Sequence, residues 1–166
     1  MPPIDSPWQI VPEEIQRLQK DGAEHILIDF HAEATAEKIC FSKYLAYRYN
    51  TDEKALIKGF FGTHTHVQTA DDQIFRGMAY ITDAGFCGAV DSVIGMEYET
   101  SMRRLSTSLP ERYEISESPL VQINGVEVLI DGTKSTQIKR INVTVDNNER
   151  GKEDESQCCR EQSAFG

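Results

Sequence analysis

The sequence has little of what marks a membrane-spanning, secreted or nucleic-acid-coating protein. No apolar run approaches the roughly 20 residues a transmembrane helix needs. The lead, Met1-Pro2-Pro3-Ile4-Asp5-Ser6-Pro7-Trp8, lacks the basic stretch and apolar core of a secretory signal. Cysteine is scarce, and the spacing of Cys40, Cys87, Cys158 and Cys159 matches neither a zinc ribbon nor a disulfide framework. Cys40 and Cys87 lie in apolar surroundings and are expected to be buried as small hydrophobes. Positive charge is also short: 17 Lys and Arg stand against 27 Asp and Glu, a net charge of −10. Such a chain has no sequence-independent grip on nucleic-acid backbones, and no sequence-specific nucleic acid is expected as a partner. A small anionic substrate stays compatible if metal ions supply local positive charge. These absences together lead to the expectation of a cytoplasmic protein without a membrane partner.

What is present suits one domain. The 166 residues are 39% hydrophobic and 27% charged, enough for a core of their own. Pro12-Glu13-Glu14 opens an expected helix with Val11, Ile15 and Leu18 on one side, and Gly22 ends it. A strand over 25–31 follows, then a helix over 33–48 with Ala36, Cys40, Tyr44 and Tyr47 on one face. A second strand covers 55–61, and a third covers 77–85, running into a glycine turn. Residues 96–109 read as a helix with Tyr98, Met102, Leu105 and Leu109 on one face, stopped by Pro110. Beyond Arg112 only strands are expected, over 112–116, 119–123, 126–131 and 137–145, with turns at Asn124-Gly125 and Asp131-Gly132. The order predicts a layered α/β fold, sheets packing under flanking helices, over residues 1–146. Residues 147–166 read as a disordered polar tail.

Histidine is the informative residue. Three of the four, His31, His64 and His66, fall at the ends of expected strands, where open α/β sheets place ligand sites. A lone histidine is more often structural than a ligand, and His25 reads that way. The His64-Thr65-His66 pair, next to an apolar run, raises metal ligation to equal standing with the structural reading. Asp29 shares a strand face with His31 and is placed to orient it. Asp83, ending a strand before Gly85, suits either lining the site or capping a turn. Thr63 and Thr65 are placed to touch phosphate oxygens or to bond the local backbone, the more frequent use.

The segments Ile28-Asp29-Phe30-His31-Ala32-Glu33 and Gly62-Thr63-His64-Thr65-His66-Val67-Gln68-Thr69-Ala70-Asp71 resemble the calcineurin-like metallophosphoesterases, and within them the bacterial YmdB-like phosphodiesterase branch. Ala79-Tyr80-Ile81-Thr82-Asp83-Ala84-Gly85, Asp91-Ser92-Val93-Ile94-Gly95-Met96 and Leu109-Pro110-Glu111-Arg112-Tyr113 resemble the same branch, in the same order. The resemblance implies a metallophosphoesterase-type β-sandwich flanked by helices. It also implies a binuclear iron or manganese site that hydrolyses phosphodiesters, 2′,3′-cyclic nucleotides among them. By the same resemblance, His31 and His64 correspond to ligands of the second metal and His66 to a ligand of the first. The metals would polarise phosphoryl oxygens and activate a bridging water.

The resemblance covers the family's C-terminal half only. The early aspartate after the first strand, the Glu-Asn pair with the bridging carboxylate, and the Gly-Asn-His motif have no counterpart here. Three neutral imidazoles bind one metal. They do not readily hold two cations about 3.5–4 Å apart without a bridging carboxylate. At most one metal is therefore expected for this chain alone. The leading expectation is a phosphodiesterase segment, inactive alone, that either self-associates as a homo-oligomer or pairs with a separately supplied N-terminal half. The alternatives are a non-catalytic interaction protein built on half the fold, and a three-histidine hydrolase with a single metal.

Overall fold

The computed structural model describes residues 5–148. The tail expected over 147–166 therefore lies, beyond Asn148, outside the described residues. The elements run α1 (Pro7–Lys20), β1 (Ile26–His31), α2 (Thr35–Tyr49), β2 (Ile57–Thr63), β3 (Gln73–Phe75), β4 (Met78–Ile81), β5 (Gly88–Ala89), α3 (Tyr98–Thr107), β6 (Leu120–Asp131) and β7 (Lys134–Asp146). They divide into two compact units. Among the described residues, the first holds the chain up to Gly85 with Val126–Arg140, and the second holds Phe86–Gly125 with the chain from Ile141.

The first unit is built on a sheet of order β1-β2-β4-β3. β1, β2 and β4 are parallel, and the short β3 closes antiparallel on β4. The crossover from β1 to β2 is α2, as a parallel pair requires. β2 is central and almost wholly buried, so its residues show no in-out alternation, and its one charged residue, Lys58, is buried too. Phe60 meets Phe30 at 5.3 Å, Tyr80 at 5.9 Å and Phe41 of α2 at 6.2 Å between ring centroids. Trp8 of α1 packs edge-on against Phe41 at 4.8 Å, which ties the first helix to this cluster.

Buried Asn50 sets where β2 begins. Its Oδ1 accepts the backbone N–H groups of Leu56 and Ile57, each at 3.0 Å, and its Nδ2 donates to the Ile57 carbonyl at 2.9 Å. The tip of the β6–β7 hairpin belongs to the same unit. Lys58, fully buried, donates to the carbonyls of Ala55 and Thr133. Ser135 donates to the Lys58 carbonyl at 2.6 Å.

Several expectations fail here for identifiable reasons. α1 starts at Pro7, which takes the first helical position, and Pro12 lies inside with its ring buried. The inward face of α2 is Lys38, Phe41, Ser42 and Leu45 rather than Ala36, Cys40, Tyr44 and Tyr47. That face contains a lysine, and it turns inward because Lys38 finds a buried carboxylate. Cys40 consequently sits on the outer side and is exposed.

In the second unit β5 pairs antiparallel with β6, Gly88 opposite Gln122 and Ala89 opposite Val121. Cys87, just before β5, is exposed. The Glu97 carboxylate caps α3 by accepting from the N–H groups of Glu99 and Thr100 at 3.0 and 2.8 Å. The buried residues of α3 are Thr100 and Ser101, whereas Tyr98, Met102, Leu105 and Leu109 are exposed.

Residues 112–116 form no strand beyond a single bridge between Met96 and Ile115. Asn124-Gly125 is not a turn: it lies inside the continuous strand β6. Asn124 spends its side chain on the Phe86 carbonyl, at 2.9 Å, and on Asn142, at 2.8 Å. The hairpin turns instead at Asp131-Gly132, where Gly132 has the positive φ of 50° that such a turn requires.

Candidate functional site

The three parallel strands of the first unit end at one sheet edge. The register pairs Phe30 with Gly62 and His31 with Thr63, so the C-terminal ends of β1 and β2 coincide. β4 finishes beside β2 and delivers Thr82 and Asp83 to the same edge. Open parallel sheets bind ligands at such an edge.

His31 and His64 meet there. His31 Nε2 and His64 Nδ1 lie 3.1 Å apart, with the rings edge-to-face at 5.0 Å between centroids. On its other side, His31 Nδ1 lies 3.0 Å from the Thr63 hydroxyl. That hydroxyl donates to Asp29 Oδ1 at 3.3 Å. Both rings and Asp29 are exposed, and Thr63 is half-buried. His66 is half-buried and follows with a φ of 62°, while His64 has a φ of 122°. Two non-glycine residues at positive φ within three positions store backbone strain, which persists only where the surroundings fix it. His25 stands exposed before the start of β1.

The fixing groups lie beneath the loop. Asp83 is completely buried. Its carboxylate accepts from the Thr65 N–H at 2.8 Å, the Gly85 N–H at 2.9 Å and Lys38 Nζ at 3.1 Å. Lys38 is also fully buried, so the ion pair is shielded from water. Burial alone would raise the Asp83 pKa. The hydrogen bonds from Thr65 and Gly85, with the Lys38 ammonium, outweigh it and hold the carboxyl below the ordinary range.

Asp71 repeats the pattern. Burial is outweighed by bonds from the hydroxyls of Thr69 and Thr82 and from the Thr82 N–H, and its pKa is likewise lowered. Thr69 links the two carboxylate positions: its hydroxyl donates to Asp71 at 2.6 Å and accepts from the Asp83 N–H at 2.9 Å. Gly62, between the strand and the histidines, must be glycine, since a Cβ there would lie 1.8 Å from the Thr82 carbonyl oxygen.

The structure thus brings His31 and His64 together, with Asp29 connected through Thr63, and puts Asp83 under the loop rather than in it. It does not add His66 as a third donor. Among the described residues no group of three or more His, Cys, Asp or Glu side chains is arranged to hold a metal ion. The histidine pair nonetheless fits one cation. Two imidazole nitrogens about 2.0–2.1 Å from a common metal, at an angle of about 90–110°, would lie about 2.8–3.4 Å apart. The observed 3.1 Å falls within that interval.

The model of the family described as YmdB-like protein matches residues 1–141. The chain belongs to the YmdB-like family. A relative from Bacillus subtilis (strain 168), named as a 2′,3′-cyclic-nucleotide 2′-phosphodiesterase, is 41% identical over 149 residues, covering 88% of this YmdB-like chain and 53% of the relative. A crystal structure of a hypothetical protein from Thermus thermophilus superposes with a TM-score of 0.73 at 30% identity, over 87% of this chain and 53% of that one. The structure of a novel phosphatase from Mycoplasma pneumoniae gives 0.71 at 36% identity, over 89% and 50%. The YmdB-like chain therefore spans about half the length of the relatives it matches. Its mixed α/β architecture, sheets with flanking helices, is that of a phosphatase structure.

Lys38, which pairs with Asp83 beneath the loop, is absent from the candidate residues read from the sequence. Its signal was positional: it lies three and seven residues before Phe41 and Leu45, a cation on an apolar helix face.

Proposed function

We propose that this chain supplies histidine ligands, His31 and His64 and, two residues further along the loop, His66, to a metal-dependent phosphodiesterase. The observation that carries the reading is the facing pair His31 Nε2 and His64 Nδ1, 3.1 Å apart at the edge where parallel strands end. His31 and His64 would hold a cation, iron or manganese, whose chemistry would be Lewis-acid polarisation of a phosphoryl oxygen. The chain's own part is to hold the two rings. β1 and β2 fix them in register, and the buried Asp83–Lys38 pair pins the loop through the Thr65 N–H. The name of the Bacillus subtilis relative supports a cyclic phosphodiester as substrate, 2′,3′-cyclic nucleotides first.

The site as proposed needs acidic ligands beyond these residues, because neutral imidazoles do not offset two cations. They would come from the half of the family fold that lies outside the matched span. β1 forms the edge of its sheet, with Leu27 59% exposed on it. An exposed strand edge with an apolar side chain invites pairing, and the proposed occupant is that other half.

The test is hydrolysis of bis-p-nitrophenyl phosphate and 2′,3′-cyclic AMP by the manganese-loaded chain, with and without the other half of a relative added. Turnover should be absent alone, appear with the added half, and vanish in His64→Ala. Full turnover by the chain alone, unaffected by His64→Ala, would sink the proposal.

A further inference from the structure

We infer that Thr63 is a positioning residue that fixes the tautomer of His31. A threonine hydroxyl has one proton to give and lone pairs to accept with. Here it stands between two partners, Asp29 Oδ1 at 3.3 Å and His31 Nδ1 at 3.0 Å. The Asp29 carboxylate only accepts, so the hydroxyl proton goes to it. What Thr63 then presents to His31 is a lone pair. His31 Nδ1 must carry a proton to meet it. The reverse arrangement would give the hydroxyl proton to His31 and leave two oxygen lone pairs facing each other between Thr63 and Asp29.

A neutral imidazole has one N–H and one lone pair. With Nδ1 protonated, the lone pair is on Nε2, the atom that faces His64. Free imidazole side chains favour the other tautomer, so the protein has a preference to overcome. Geometry holds the relay in place. His31 and Thr63 are register partners across β1 and β2. The branched threonine side chain is stiff about its first torsion. Asp29 stands two residues before His31 on the same strand face. The three side chains therefore form one row across two strands, ending in an aimed lone pair.

The use of that lone pair toward a cation rests on the metal reading; the tautomer does not. A ligand held in the right tautomer binds metal without first moving a proton. Outer partners of this kind change affinity by about 10–100-fold.

Both parts are tested on the full chain carrying 15N-histidine, at about pH 8, where an ordinary imidazole is neutral. Imidazole 15N shifts are read in the wild type and in Thr63→Val, Thr63→Ser and Asp29→Asn, and Zn2+ is titrated by calorimetry. The wild type should show His31 protonated on Nδ1. Thr63→Val, which keeps the shape and loses the hydroxyl, should shift His31 toward Nε2–H and weaken Zn2+ about 10–100-fold. Thr63→Ser should restore both, and Asp29→Asn should fall between. An Nε2–H tautomer in the wild type, or an unmoved tautomer in Thr63→Val, overturns the inference. A wild type that takes up no Zn2+ contradicts the metal reading, and the tautomer still decides the relay.

Discussion

Asp83 and Asp29 serve the same pair of histidines from opposite environments. Asp83 is fully buried, paired with a buried lysine, and bonded to the backbone of the loop. Asp29 is exposed and reaches His31 only through Thr63. A charge out of water is costly unless paired, so the buried carboxylate is bound up with whether the loop folds at all. A charge in water adds little to stability, and its effect is on the direction in which a ring presents its lone pair. The same residue type thus supports structure below the site and orientation above it.

The largest effect should come from breaking the buried side of this comparison. Asp83→Ala leaves the Lys38 ammonium without a partner and two loop N–H groups without an acceptor, and should cost about 3–5 kcal/mol in urea unfolding. A loss below ~1 kcal/mol would mean that the pair is not shielded as described. Next comes Gly62→Ala. Its new methyl would collide with the Thr82 carbonyl and should cost about 1–3 kcal/mol, read from the same denaturation curves.

Acid probes the buried carboxylates without mutation. Asp83 and Asp71 both have folded-state pKa values below the ordinary carboxylate value. The unfolded chain therefore binds more protons than the folded one as pH falls through that region. Their contribution is present above the unfolded value and lost as pH drops below about 4. Melting temperature followed from pH 7 downward should fall steeply there, and the slope should be shallower in Asp71→Asn.

The smallest effect belongs to the exposed carboxylate. Asp29→Asn should change stability by no more than about 0.5 kcal/mol. A thermal shift as large as that of Asp83→Ala would erase the distinction between the two.

The sheet and its site edge were legible because strand alternation, glycine turns and histidine placement are local signals. β1, β2 and β4 follow from them, whereas the pairing of His31 with His64 is what the family resemblance implies and what the β1–β2 register produces. What escaped depends on distant partners. Lys38 shares a helix face with Phe41 and Leu45, but the carboxylate that lets it turn inward is 45 residues away. Asn124-Gly125 has the composition of a turn but stays extended because Asn124 finds Phe86 and Asn142 to bond. The α3 face of Tyr98, Met102, Leu105 and Leu109 has helical periodicity, yet it is exposed, and periodicity alone does not say what covers an apolar face. Thr63 was expected first to bond the local backbone and only second to touch phosphate. Its position between Asp29 and His31, though, depends on the register of two strands.

The most direct measurement is the manganese bound per chain, by electron paramagnetic resonance, in the wild type, His31→Ala and His64→Ala. The wild type alone should bind no more than one ion, and either variant should lose it, with unfolding curves unchanged because both rings are exposed. Equal manganese content in all three proteins would contradict the assignment of His31 and His64 as ligands.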